Sequence, residues 1–154
     1  MSRTNRRVQV DPSRLFEIAV DVAAPPARVW QVMMDVEQWP EWTESVDKVK
    51  RLDSGPLRVG SRARIKQPRF LPAVWEVTEL DPGRSFTWVT RSPGMVASGR
   101  HRVEPTAKGS RAILSVAYGG MLGGVAAKVL AGITDRYLMF EAAGLKQRSE
   151  IFVR

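Results

Sequence analysis

From Leu122 to Gln147, apolar and small residues recur at three- and four-residue steps: Leu122, Val125, Ala126, Val129, Ile133, Tyr137, Phe140 and Gly144. That spacing predicts one amphipathic helix. About 26 residues at a rise of 1.5 Å each make a rod of roughly 40 Å. In a chain of 154 residues such a rod needs a partner as broad as itself. A sheet crossed from end to end is the partner that fits.

The chain before the rod supplies that sheet. Phe16, Ile18, Val20 and Val22 alternate with Glu17 and Asp21, as a half-buried strand requires. Ala23-Ala-Pro-Pro26 ends this strand, and proline suits a first helical turn, so a helix is expected over residues 26–35. A second short helix is expected at Glu37 to Trp42. Period-two segments then follow at 45–52, 61–67, 74–80, 85–91, 95–103 and 111–118, separated by turn signals such as Asp81-Pro-Gly83, Ser92-Pro-Gly94 and Lys108-Gly109. Short turns make them antiparallel neighbours. The expected fold is α+β: a curved antiparallel sheet of seven strands wrapped around a long C-terminal helix, with two short helices between the first two strands.

Composition narrows the function classes. No cysteine is present, which excludes disulfides and thiolate sites, and one histidine makes a histidine-based metal site unsuited to this chain. No metal and no cofactor are expected. Residues 1–14 read as a flexible basic arm, and residues 15–150 as a single ligand-binding domain. The start has no apolar segment behind its basic residues, which argues against a signal peptide and for a cytoplasmic protein. Net charge is +8, which attracts anions without selecting one. Alternation places Arg62, Arg64, Lys66, Arg91, Arg100 and Arg102 on the convex side of the sheet, a surface suited to an anionic membrane or RNA. Aromatics between these cations are lacking, so nucleic acid is the less suited partner. Oligomeric state is not encoded in any of these features.

Several stretches carry a family resemblance. They are Val20-Asp-Val-Ala-Ala-Pro-Pro-Ala-Arg-Val-Trp30, Asp35-Val-Glu-Gln-Trp-Pro-Glu-Trp42, Val59-Gly60, and Trp75-Glu-Val-Thr-Glu-Leu-Asp-Pro-Gly-Arg-Ser-Phe-Thr-Trp88. His101-Arg-Val-Glu-Pro105, Gly109-Ser-Arg-Ala-Ile-Leu114 and Leu145-Lys146 complete the set. In order and spacing the chain resembles the START-like (Bet v 1-like, SRPBCC) superfamily, in its polyketide cyclase/dehydrase group, over about residues 15–150. The resemblance implies a helix-grip fold with a cavity between the sheet and the last helix. It does not imply one activity, because members bind lipids, steroids, quinones and polyketides. Small residues on the predicted helix (Ala126, Ala127, Ala131, Gly132, Ala142, Ala143 and Gly144) suit either such a cavity or very close packing.

On the strand Met95 to Val103, Met95, Ala97, Gly99, His101 and Val103 share one face. His101 can hydrogen-bond a ligand oxygen, act as general acid or base, or be a core histidine held by backbone. Gln67 and Thr90 fall on the same inward side, where a polar group needs a ligand or a protein partner. Tyr118 and Tyr137 could orient a ligand carbonyl or sit at the rim. Trp39, Trp42, Trp75, Trp88, Phe86, Phe140, Met33 and Met95 supply the apolar lining or the core. The expected ligand contacts are Met33, Gln67, Trp75, Trp88, Thr90, Met95, His101, Tyr118, Tyr137 and Phe140. Nucleophile-elbow and phosphate-loop motifs are absent. The expected function is binding of a hydrophobic small molecule (a lipid, an aromatic or a polyketide-like compound). The alternatives are a cyclase/aromatase using His101 as acid/base, and a basic interaction module.

Overall fold

The computed structural model describes residues 11–151. Seven antiparallel strands form one sheet: β1 (Leu15–Val22), β2 (Lys48–Arg51), β3 (Arg62–Lys66), β4 (Ala73–Asp81), β5 (Ser85–Ser92), β6 (Met95–Thr106) and β7 (Gly109–Gly119). Their spatial order is β1-β7-β6-β5-β4-β3-β2. Strands two to seven are a simple meander, and β1 closes onto the last of them. The two sheet edges are therefore β1 and β2, consecutive in the chain. Residues 23–47 must pass from one edge to the other, and they do so as the helix α1 (Pro26–Met34) and a 3-10 helix (Val36–Glu41). Pro40 lies inside that second element. A proline there cannot donate to an α-helical ladder, so the segment expected as a short helix takes the tighter form.

Alternation sets the two faces. Ala112, Leu114 and Tyr118 of β7, Ala97, His101 and Val103 of β6, and Phe86 and Trp88 of β5 are buried on the concave side. A register shift between Val77 and Glu79 interrupts the β4–β5 pairing, and such bulges sharpen the local curl. The core is continuous through Val29, Met33, Val36, Trp39, Phe86, Leu114, Leu138 and Leu145. Arg62, Arg64 and Arg100 are exposed, as expected of the convex side.

The long C-terminal rod is not one helix. It is α2 (Gly123–Val129) and α3 (Ala131–Glu150), broken at Leu130, whose backbone sits at φ −97°, ψ 5°. A Cβ on Gly123 would stand 3.0 Å from the carbonyl oxygen of Tyr118, so α2 docks on β7 through its smallest residues. Gly123 and Ala127 are buried, while Val125 and Val129 face solvent. The even apolar stripe expected across both segments is thus interrupted.

The second strand is shorter than expected. Residues 45–47 precede it, and the buried Thr43 and Ser45 hydroxyls bond each other at 2.8 Å. Of the expected N-terminal arm, residues 1–10 lie outside the described residues. Pro12–Arg14 forms one 3-10 turn, capped by Asp11, whose carboxylate accepts from Ser13 N–H at 2.9 Å. Arg14 reaches across to the carbonyl of Gly120 at 3.2 Å.

Candidate functional site

A cavity of about 810 Å³ lies between the concave sheet and α3. Its closed end is made by Trp39, Trp88, His101 and Leu114, all buried. Its open end is made by the loop 67–72, the end of β5 and the start of α3. The antiparallel register brings these together. Glu76 stands opposite Val89 and Ser92 opposite Met95, so the loop before β4, the β5–β6 turn and the end of β7 occupy one end of the sheet.

Gln67, Trp75, Trp88, Thr90, Met95, His101, Tyr118 and Tyr137 all line this cavity. Met33 does not. It is 1% exposed in the core under α1, and its carbonyl accepts the Trp39 indole N–H at 3.1 Å. Phe140 does not line it either. Each helical residue turns the direction by about 100°, and the buried line of α3 runs through Thr134, Leu138, Ala142, Leu145 and Ser149. Of the expected line, Phe140 falls off that face, whereas Gly144 is buried.

His101 is 6% exposed. The Phe86 ring stacks on it at 4.4 Å between centroids and 4° between planes, and Trp39 lies 5.1 Å away on a tilt. Its Nε2 meets Glu141 Oε1 at 2.7 Å, and its Nδ1 is buried with no partner. With Nε2–H donating to the carboxylate, one ring nitrogen is held and the other is sealed from water. Glu141 keeps 14% of its side-chain surface and lines the cavity. Of the pair, the acid keeps the larger exposed surface, 14% against 7%. The sequence did carry a signal for Glu141. It falls three residues after Leu138 and four before Leu145, an acid on the buried stripe.

Glycine at position 99 shapes the same wall. A Cβ there would lie 3.2 Å from Trp88 Nε1, so its absence lets the indole lie across β6. Trp75 and Trp88 then adjoin at 6.0 Å. The Tyr118 hydroxyl is not at a wet rim. It pairs with Thr134 Oγ1 at 2.7 Å in buried surroundings and ties β7 to α3. Burial pushes its phenol above the ordinary value, against the smaller opposing effect of the Thr134 bond. The Tyr137 hydroxyl donates to the carbonyl of Pro68, and Phe70 meets the same ring edge-on at 6.0 Å. The side chains of Gln67 and Thr90 have no hydrogen-bond partner among the described residues and face the cavity. Arg91, expected on the convex side, is among the residues at the opening, where β5 continues past Val89, its last residue paired with β4. Among the described residues no three His, Cys, Asp or Glu side chains converge as metal ligands. No described helix is long and apolar enough to cross a membrane.

Solved structures share this architecture. The Zhui aromatase/cyclase from Streptomyces sp. R1128 is 21% identical, with a TM-score of 0.74 over 92% of this chain and 96% of that one. The di-domain ARO/CYC StfQ from the steffimycin biosynthetic pathway is 15% identical, with a TM-score of 0.72 over 89% of this chain and 50% of that one. A protein from Thermus thermophilus is 18% identical, with a TM-score of 0.70 over 88% of this chain and 96% of that one. At these identities the likeness is one of fold. No curated protein matches the chain by sequence. The family described as polyketide cyclase / dehydrase and lipid transport matches residues 13–150, and the chain with its gripped helix and hollow sheet belongs to that family.

Proposed function

We propose that this protein encloses a hydrophobic, ring-containing small molecule in the cavity above His101, within a binding unit of residues 15–150. The observation that carries the reading is a space of about 810 Å³ walled by Trp75, Trp88, Met95 and Tyr118, with one acid–imidazole pair at its closed end. Burying apolar ligand surface is worth roughly 25 cal/mol per Å² before the costs of association. Gln67, Thr90 and Glu141 are among the polar groups that would set orientation. Native mass spectrometry of protein purified from its own host tests the reading. A co-purified apolar compound, lost on Trp88→Ala, is the expected result. Protein that arrives empty and takes up no apolar probe contradicts it.

The Glu141–His101 pair favours a second reading, cyclisation of a poly-β-ketone. Glu141 would take a proton from a methylene flanked by two carbonyls. The resulting enolate carbon would form a bond to a distant carbonyl carbon, whose oxygen takes up a proton and later leaves as water with a neighbouring hydrogen. His101 would then be the positioning residue, holding the carboxylate in place. Glu141→Gln separates the two readings. A catalyst loses turnover and keeps affinity for its ligand, whereas a carrier shows at most a change in affinity.

A further inference from the structure

The cavity is electrically lopsided. At the closed end the acidic Glu141 is matched to His101 at 2.7 Å. At the open end the lining residues include Arg69 and Arg91 and no acid. Neither forms an ion pair among the described residues, whereas Arg51, Arg111 and Arg148 hold Asp53, Asp21 and Glu41. Arg69 also holds an uncommon backbone. Its φ is +66°, and it is the non-glycine residue with positive φ among those described. A side-chain-bearing residue in the left-handed region costs on the order of 1 kcal/mol, and such outliers cluster at ligand sites. The loop is secured in this shape, because the Tyr137 hydroxyl donates to the neighbouring Pro68 carbonyl.

We infer that the guest of this cavity is an amphipathic acid: an apolar body pointing inward and an anionic head held at the opening by Arg69 and Arg91. This rests on the cavity being the ligand site, as proposed above. Guanidinium groups bind carboxylate, sulfonate and phosphate oxygens through paired N–H donors. The acid at the closed end disfavours the reverse orientation, since like charges would meet in an apolar pocket. The apolar wall beside the arginines, with Leu71 87% exposed, lets the head remain in water while the body is buried.

Two fluorescent probes of one skeleton test this: 1-anilinonaphthalene-8-sulfonate and the neutral N-phenyl-1-naphthylamine. The wild-type protein is expected to bind the sulfonate at least about tenfold more tightly in low salt, as two charge-assisted contacts would give. The double variant Arg69→Gln/Arg91→Gln is expected to erase that preference while binding of the neutral probe changes less than about twofold. The control Arg64→Gln/Arg100→Gln, on the convex face, removes as much charge and is expected to keep the preference. A preference that survives in the first variant, or falls equally in the control, overturns the assignment. If the wild-type protein fails to bind even the neutral probe, the cavity reading fails and this inference with it.

Discussion

At its C-terminal end α3 lies against protein along its inner face; at its N-terminal end it meets β7 through the Thr134–Tyr118 pair and otherwise borders the cavity. A Cβ on Gly144 would collide with the Trp42 carbonyl oxygen, so the helix there touches the backbone that follows the 3-10 segment. Nearer the start of the helix, Leu130 and Ile133 face open space. The helix and the sheet are the same in both places. What differs is the filling. The crossover segment from β1 to β2 inserts Met33, Val36 and Trp39 under one end, whereas the other holds only the smaller cluster of Ala97, Tyr118 and Ala127. A helix-grip fold therefore gains its cavity by covering only half its concave face. Stability and binding are divided between the halves, and this division can be tested.

The largest effect is expected at the filled end. Phe86→Ala removes a fully buried ring stacked on His101 and is expected to cost about 4 kcal/mol, read from urea unfolding. Gly144→Ala is next, at about 3 kcal/mol, because the obstructing atom is backbone and the helix must shift. A loss below about 0.5 kcal/mol would show that α3 slides freely there. Tyr118→Phe removes the hydroxyl joined to Thr134 and is expected to cost about 1 kcal/mol by the same measurement. Ile133→Ala at the hollow end is expected to cost less than Tyr118→Phe, since the side chain already borders a void. The same substitution should still weaken uptake of N-phenyl-1-naphthylamine. If it destabilises as much as Phe86→Ala, the two ends are not different.

The smallest effect concerns pH. Glu150 accepts from Lys146 and from the Ala23 N–H at 2.8 Å, which hold its carboxyl below the ordinary glutamate range against a smaller burial penalty. Its folded value is depressed. Its contribution is therefore present above the ordinary glutamate value and is lost as pH falls through the folded one. Glu150→Gln should be less stable than wild type by a few tenths of a kcal/mol at neutral pH. The difference should vanish in acid. An unchanged difference at low pH would contradict this sign.

Most of the architecture was legible because strand alternation is a local signal. Phe16 to Val22, Ser85 to Arg91 and Arg111 to Tyr118 each showed their buried face directly, and the meander order followed from turn length. The helix pair was less legible. Leu130 carries no breaker chemistry, so its residue type does not announce the break. The lining followed the strands: Gln67, Trp75, Trp88, Thr90 and His101 were placed by period two. Met33 was read onto the buried face of its helix, but that face packs into the core and not the cavity, while Phe140 was misplaced because an amphipathic helix shows its stripe only to within a residue, about 100° of rotation. The same slip hid Glu141. Arg69 could not be read at all, since a left-handed arginine between two prolines follows from loop closure and not from a sequence pattern.

The bond from Arg14 to Gly120 has a consequence for α2. Seven residues are too few for a helix to persist alone in water, so α2 borrows its order from what it rests on. Besides β7 that support includes the Arg14 guanidinium, close against Gly123 and Gly124. Trimming the chain from its start up to Arg14 should thus loosen a distant roof, and amide exchange would quicken in α2 well before it quickens in α3.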